Sequence, residues 1–486
     1  MPEARPLPEA ARGLPGHPEL AALLAFARAE GVELYLAGGA VRDLLLGQAV
    51  HDLDFASAAP LAFARAFAQA RRLPFVMLDE ERGVGRVVVK TDGGLALDLD
   101  FSLFRSGGSI EADLLERDFT VNALALPFEA LMAGRLSPLI DPAGGMRDLK
   151  ERVLRAVLPR SLSDDPLRAL RLYRLAAQLR FEIEPATRTQ AVAVGPRLAQ
   201  VAGERVRQEL VKLLSAPCAV LLRDMTETGV LPAIIPALEA MRGVEQRGYH
   251  HLDVLGHALA TVEQLERVME GPARFFPCPE ELEPYLESAP RWLLKLAALL
   301  HDVGKPATAA EATGHVSFHR HDEQGAGLAQ AAAARLRFSR AEAALLERLV
   351  LLHMRPFHLT RLLRAGELTE RAVRRALDAA GDCFCGLMLM AMADSLAASG
   401  PDKPEDAERL LADLFCQAAR YRREVLVPLR ARPRLLGGDD LIAAFGLSPG
   451  PLVGELLRAV EDAYLEGRVS SREEALALAA RLLKGE

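Results

Sequence analysis

The chain has a single tryptophan, 5% aromatic residues and five cysteines in 486 residues. Cys218, Cys278, Cys383, Cys385 and Cys416 are scattered, odd in number and lack Cys-x-x-Cys spacing. That pattern argues against a disulfide framework or a zinc ribbon and for reduced core residues. No uninterrupted apolar run reaches the roughly 20 residues of a membrane span, and the Pro-rich, polar stretch Met1 to Leu20 holds no secretory segment. A soluble, cytoplasmic protein without membrane contact is expected. Net positive charge is missing as well: the formal charge is -7, which excludes a protein that coats nucleic acid over its whole surface. Locally the balance reverses, since Lys150 to Lys212 carries 13 Lys or Arg against 7 Asp or Glu. A nucleic-acid partner would be held there. The remaining composition, 50% hydrophobic and 26% charged, is ordinary for a globular chain long enough for several domains.

What is present is concentrated near the start. Leu36 to Asp43 (LAGGAVRD) followed by Asp52-Leu53-Asp54 reads as a strand, a glycine turn, a short helix and a second strand ending on two carboxylates. In an extended segment the period of two puts Asp52 and Asp54 on one face, spaced to share a divalent cation. Glycines without a Cβ let backbone N–H groups approach a phosphate, and a helix start adds its dipole. Either half alone is commonplace, a turn or a solvated strand end; together they describe a site for a metal-bound triphosphate.

Residues 17–31 read as an amphipathic helix, Val32 to Ala37 as the first strand and Pro60 to Arg71 as a second helix. Strand patterns recur at Phe75–Met77, Arg86–Lys90 and Leu95–Phe101, separated by turns such as Thr91-Asp92-Gly93-Gly94. Asp98 and Asp100 share one face of their strand; beside the Asp52–Asp54 strand, either could add a carboxylate to the metal site. Further on, Asp165-Pro166 offers helix-start chemistry, and Arg168, Arg171 and Arg174 follow at i+3 steps along one helix.

At these residues the chain resembles the class II nucleotidyltransferases: the tRNA CCA-adding enzymes and bacterial poly(A) polymerases. The motifs run in order through Gly38-Gly39-x-Val-Arg42-Asp43, Asp52-x-Asp54, Arg117-Asp118-Phe-Thr-x-Asn122, Asp141-Pro-x-Gly-Gly145, Asp165-x-x-Arg168 and Glu204-Arg205, covering roughly the first 215 residues. The resemblance implies that Asp52 and Asp54 are the catalytic carboxylates and hold two Mg²⁺, one activating the RNA 3'-hydroxyl and one neutralising the triphosphate. It implies phosphate contacts from Gly39 and Arg42, a place for Arg117 in the nucleotide pocket, and base reading by Asp165 and Arg168. A carboxylate beside a guanidinium suits C and A, each with an amino donor next to an acceptor. Arg171 and Arg174 would face the triphosphate or the RNA end. The chain departs from many relatives in having Glu116-Arg117-Asp118 for Arg-Arg-Asp and Asp164-Asp165 for Glu-Asp.

From about Val220 the pattern becomes wholly helical. His301-Asp302-Val-Gly304-Lys305 resembles the signature of HD phosphohydrolase domains, whose His-Asp pair holds a metal with flanking residues, here His257 and Asp394. His321 and His353 match positions where many members add a second metal. The resemblance implies a divalent metal of unspecified identity and hydrolysis of a phosphate ester. Pro401 to Pro404 and Pro428 to Gly438 break the helical pattern ahead of a helical tail.

The expected fold class is α+β: a small nucleotidyltransferase (polymerase-beta-like) mixed-sheet head followed by an elongated all-α neck, HD domain and tail. The expected segments are an N-terminal extension 1–20, a catalytic head 21–155, a helical neck 156–240 for nucleobase and RNA, an HD domain 241–400 and a helical tail 401–486. The implied function is addition of CMP and AMP to the tRNA 3' end without a template, with ATP, CTP and the tRNA acceptor arm as partners and an HD phosphoesterase site besides. Alternatives are poly(A) polymerase, an A-only or CC-only enzyme of the same family, or an HD phosphohydrolase with an RNA-binding head.

Overall fold

Alternation along two acidic strands builds the head. Six strands, β1 (Tyr35–Ala37), β2 (Asp52–Ser57), β3 (Phe75–Asp79), β4 (Val84–Val89), β5 (Leu97–Leu103) and β6 (Ala125–Pro127), form one sheet in the order β3-β4-β5-β2-β1-β6. All neighbours are antiparallel except β2 and β5, which run parallel with Asp52 opposite Asp98 and Asp54 opposite Asp100. The same alternation that aligns the acids sends Leu53, Phe55, Leu99 and Phe101 to the other face, where all four are fully buried. Phe55 stacks on Phe101 at 5.4 Å and meets Phe128 edge-on at 4.9 Å, and Phe63 of the helix Pro60–Arg71 closes over Phe101 at 6.0 Å. One face is thus an aromatic core and the other carries the charges.

The computed structural model describes residues 6–50, 52–80, 83–89, 97–105, 108–246, 248–312, 315–431 and 435–484. The expected turn at Thr91–Gly94, with Lys90 and Leu95, lies outside them. The chain separates into two compact units, Met1–Pro236 and Ala237–Glu486. In the first, helices follow the sheet, including Ser161–Asp164, Leu167–Leu179 and Gly203–Leu214. The last two pack together and carry the arginine stripe and its acidic partner.

The second unit is built on the helices Val254–Glu270, Arg291–Leu300, His321–Arg335, Arg340–Leu352 and Phe384–Ala397. It ends in a small helical cluster with its own core, Leu441, Val453, Leu456, Val460 and Ala475 among others. Within this unit the fully buried Arg374 fixes that cluster through Asp462 at 2.5 Å.

Three expectations need correction. Cys278 and Cys416, 138 residues apart, are joined as a disulfide with Cα atoms 5.8 Å apart, while Cys218, Cys383 and Cys385 are free and buried. Spacing along the chain cannot reveal a pair made by tertiary proximity. The region after Val220 is not wholly helical, because Ala309–Ala312 and His315–Phe318 pair as an antiparallel hairpin. Pro428 does not end the helical run: Ala407–Tyr421 continues through the π-helical turn Arg422–Leu426 into Val427–Arg430, the widened turn lying just ahead of the residue that lacks an N–H. One stretch, Glu370–Ala397, is by length and composition apolar enough to cross a membrane. It is divided at Gly381, and 78% of its most apolar window is buried in the unit, as befits a core element.

Candidate active site and metal centre

The charged face of the sheet brings four carboxylates together in two matched rows. Asp52 is exposed and Asp54, Asp98 and Asp100 are half-buried. Arg86, opposite Asp100 on β4, grips Asp100 with two bonds of 2.7 and 2.8 Å and reaches Asp98 at 2.5 Å. Burial, with the Asp100 charge next, pushes Asp54 up to about 6. A carboxylate held uncomfortably without a counter-ion, beside further oxygen donors, fits a hard divalent cation such as Mg²⁺.

Gly38 turns the chain between β1 and the helix Gly39–Leu45 at φ 81°. A Cβ there would lie 2.5 Å from Arg117 Nη1, so the turn and Arg117 can share the space only because the residue is glycine. Arg117 is held by the buried Asp113 at 2.9 Å. Arg42 is buried and committed to protein partners: it donates to Asp43 at 2.8 and 3.0 Å and to Asn122 Oδ1 at 2.6 Å.

From Asn122 a continuous polar chain crosses to the neck helices. Asn122 donates to Asp118 at 3.0 Å, Arg171 donates to Asp118 at 3.1 Å and to Glu209 at 3.1 Å, and Arg174 donates to Glu209 at 2.8 Å. Burial alone would raise the Asp118 carboxyl, but Arg171, Asn122 and the Phe119 N–H outweigh it and hold it well below the usual carboxylate range.

The Arg168 N–H donates to the Asp165 carbonyl at 2.9 Å, but the two side chains have different partners. Asp165 accepts from Arg205 at 2.7 Å and from the Leu167 N–H at 3.2 Å; the helix starts at Leu167 with Pro166 at its N-cap, one residue later than the Asp165-Pro166 start expected from the sequence. Arg168 donates to the carbonyls of Ser161 at 2.9 Å and Glu116 at 3.1 Å, which uses two of its five N–H groups. Asp141 and Gly145 form a turn, with Asp141 accepting the Gly145 and Met146 N–H groups at 2.7 and 3.0 Å. Reasoning from sequence did not assign roles to Arg86, Asp113 or Glu209. The alternating period of β4 and the position of Glu209 one turn after Glu204-Arg205 are the only local signals of the first and last.

In the second unit five segments converge. His257 Nε2 lies 2.9 Å from Asp394, and His301 Nε2 lies 3.1 Å from Asp302 and 3.9 Å from Asp394. On the other side of Asp302 stand His321 at 3.4 Å and His353 at 3.6 Å, their Nε2 atoms 3.1 Å apart. Two donor groups result, His257–His301–Asp302 and Asp302–His321–His353, with Asp302 common to both.

His301, His321 and His353 each set Nδ1 against the carbonyl three residues earlier, at 2.8, 2.8 and 2.6 Å, which leaves each Nε2 as the lone-pair donor. His301 Nε2 and His257 Nδ1 are buried without a hydrogen-bond partner. Mixed imidazole and carboxylate donors with orphaned nitrogens fit divalent transition metals. Gly304 permits this convergence, since a Cβ there would stand 2.1 Å from the His321 carbonyl.

Lys305 donates to Asp302 at 2.6 Å and to Gln246 at 2.8 Å. The centre opens into a cavity of 360 Å³ lined by residues including Tyr249, Phe318, Phe357 and Arg361. His250, which the sequence did not single out, also lines it, with its ring 4.3 Å from that of His257.

Comparison with known proteins bears on the family and its domains. Residues 34–155 match the poly A polymerase head domain family, 180–242 the RNA and SrmB-binding site of polymerase A, 254–398 the HD domain and 428–480 a tRNA nucleotidyltransferase domain. The A-adding tRNA nucleotidyltransferase of Deinococcus radiodurans is 37% identical over 462 residues, covering 92% of this chain and 94% of that protein. The CC-adding tRNA nucleotidyltransferase of Thermus thermophilus is 35% identical over 90% of this chain and 91% of its own length. Among solved structures, an apo form of a CCA-adding enzyme superposes with TM-score 0.61 at 23% identity, covering 94% of this chain and 92% of that one. The Thermotoga maritima CCA-adding enzyme complexed with tRNA gives 0.57 at 24% identity, covering 95% and 94%. At these identities the structural likeness speaks for the fold.

Proposed function

Because the chain belongs to the tRNA nucleotidyltransferase family, we propose that it transfers nucleoside monophosphates from CTP and ATP to the tRNA 3' end without a template, in the cytoplasm. The observation that carries this reading is the in-register carboxylate ladder Asp52–Asp98 and Asp54–Asp100 beside the Gly38 turn. In the proposed reaction the RNA 3'-oxygen bonds to the α-phosphorus, the bridging bond to the β-phosphate breaks, and pyrophosphate leaves. Two Mg²⁺, when bound, supply charge neutralisation and activation of the hydroxyl. Asp52 and Asp54 hold them. Gly39 would meet the triphosphate through its backbone, and Arg42, Arg117, Arg171 and Arg174, each already bonded to a protein partner, would attract it by their charge and by the N–H groups those partners leave over. Asp165 accepts a base amino hydrogen while Arg168 donates to the neighbouring acceptor, which favours C and A over U and G. The neck, residues 156–240, carries base and RNA contacts, and the tail from 401 holds the body of the tRNA.

A narrower reading is favoured by the relatives that match nearly the whole chain, which are named for A addition or CC addition alone. Purified protein with tRNA transcripts ending before C, CC or A, supplied with ATP, CTP or both, separates the cases. Addition to all three supports the full reaction, addition of only A or only CC supports the narrower one, and long A tracts on arbitrary RNA would sink both. The second centre, His257, His301, Asp302, His321, His353 and Asp394, we read as a metal-dependent phosphoesterase, supported by its two donor groups sharing Asp302.

A further inference from the structure

Arg168 is held by a closed ring of contacts. Its guanidinium donates to the Glu116 carbonyl, at the end of the helix Ile110–Leu115, and to the Ser161 carbonyl, at the start of Ser161–Asp164. Arg160, immediately before Ser161, closes the ring: its Nη2 lies 2.5 Å from Glu116 Oε1, and its Nε lies 3.6 Å from Asp164. The two carbonyls that aim Arg168 belong to two segments joined by backbone bonds, Thr120 N–H to the Arg155 carbonyl at 2.9 Å and Val157 N–H to the Asp118 carbonyl at 3.2 Å. Nearer the carbonyls themselves, the segments are joined by this ion pair. Glu116 also precedes Arg117, whose guanidinium fills the space left by Gly38, so its backbone is pinned from the triphosphate side too. Glu116 is the residue at which the chain departs from the Arg-Arg-Asp pattern; here an acid meets Arg160.

We propose that Glu116 and Arg160 are positioning residues for base choice, fixing the direction from which Arg168 donates. This rests on the reading of Arg168 as the group that meets the base. Neither side chain needs to touch the nucleotide. Without the pair the backbone bonds at Phe119–Ala156 still join the segments, but the ends that carry the two carbonyls loosen, Arg168 is aimed less sharply, and a loosely aimed guanidinium discriminates less between a right and a wrong base.

The test is kcat/KM for each of ATP, CTP, GTP and UTP with a fixed tRNA transcript, for wild type, Glu116→Ala, Arg160→Ala, the exchange Glu116→Arg with Arg160→Glu, and Arg168→Ala, with folding checked by circular dichroism and melting. Both pair residues are partly exposed, so the single changes are expected to leave the fold intact and lower the ratio of correct to incorrect nucleotide about three- to fivefold, the scale of an exposed ion pair. The exchange should recover the ratio to within about twofold. Unchanged ratios in both single variants while Arg168→Ala lowers its own would overturn the proposal. So would an equal loss for all four nucleotides, which marks a merely structural role. An unchanged ratio in Arg168→Ala would instead refute the base-reading role of Arg168, and the proposal with it.

Discussion

Asp54 concentrates the chemistry of the head into one carboxyl. Its ordinary value of 3.8 is pushed up to about 6 by burial and by Asp100, so the metal-free fold takes up a proton that the unfolded chain releases. The stability linked to this proton is complete below pH about 4 and is lost as the pH rises through about 6. Asp54→Asn should therefore raise the stability of the metal-free protein at pH 7.5 by up to about 3 kcal/mol, with little change at pH 4. Melting curves at the two pH values check this. Saturating Mg²⁺ should remove the advantage, because it stabilises only the fold that keeps the carboxylate. The same variant should lose nucleotide transfer. That Asp52 and Asp54 share one strand face, next to a glycine turn, was legible in the sequence, whereas the Asp100 contribution and the Arg86 clamp depend on neighbours more than 30 residues away.

At the scale of elements, the parallel pairing of β2 with β5 turns two separate Asp-x-Asp segments into one site. The glycine turn is joined to that site through β1, which pairs with β2, and the arginine stripe of the neck helices through the side chains of Asn122, Asp118 and Glu209. Gly38→Ala should strain the backbone at φ 81° and drive Arg117 aside, lowering kcat/KM for nucleotide by at least about tenfold with a loss of about 1–3 kcal/mol in stability. Steady-state kinetics and chemical denaturation measure the two effects. Glu209→Gln keeps the shape but removes the charge shared by Arg171 and Arg174. It should raise KM for the triphosphate more than it lowers kcat, a split that a saturation series resolves. The i+3 stripe of arginines was visible in the sequence. Its commitment to Asp118 and Glu209 was not, since a helical period says which residues share a face and nothing of what that face meets.

For the whole molecule, two candidate sites sit in two compact units. Asp54→Ala should abolish nucleotide transfer and leave phosphoesterase activity of the HD centre, and Asp302→Ala should do the reverse; joint loss in either folded variant would show that the sites are coupled. The order of motifs, the class of donors at each site and the change from mixed sheet to helices follow from the sequence by itself, because they rest on residue type, period and spacing, which are local. The tertiary structure decided the register that sets Asp54 opposite Asp100, the different partners of the Asp165 and Arg168 side chains, and the gathering of His257, His301, Asp302, His321, His353 and Asp394 around two donor groups. It also decided the Cys278–Cys416 link. Each of these is a contact between residues distant along the chain, fixed by how buried faces pack and by which charges can find partners once water is excluded.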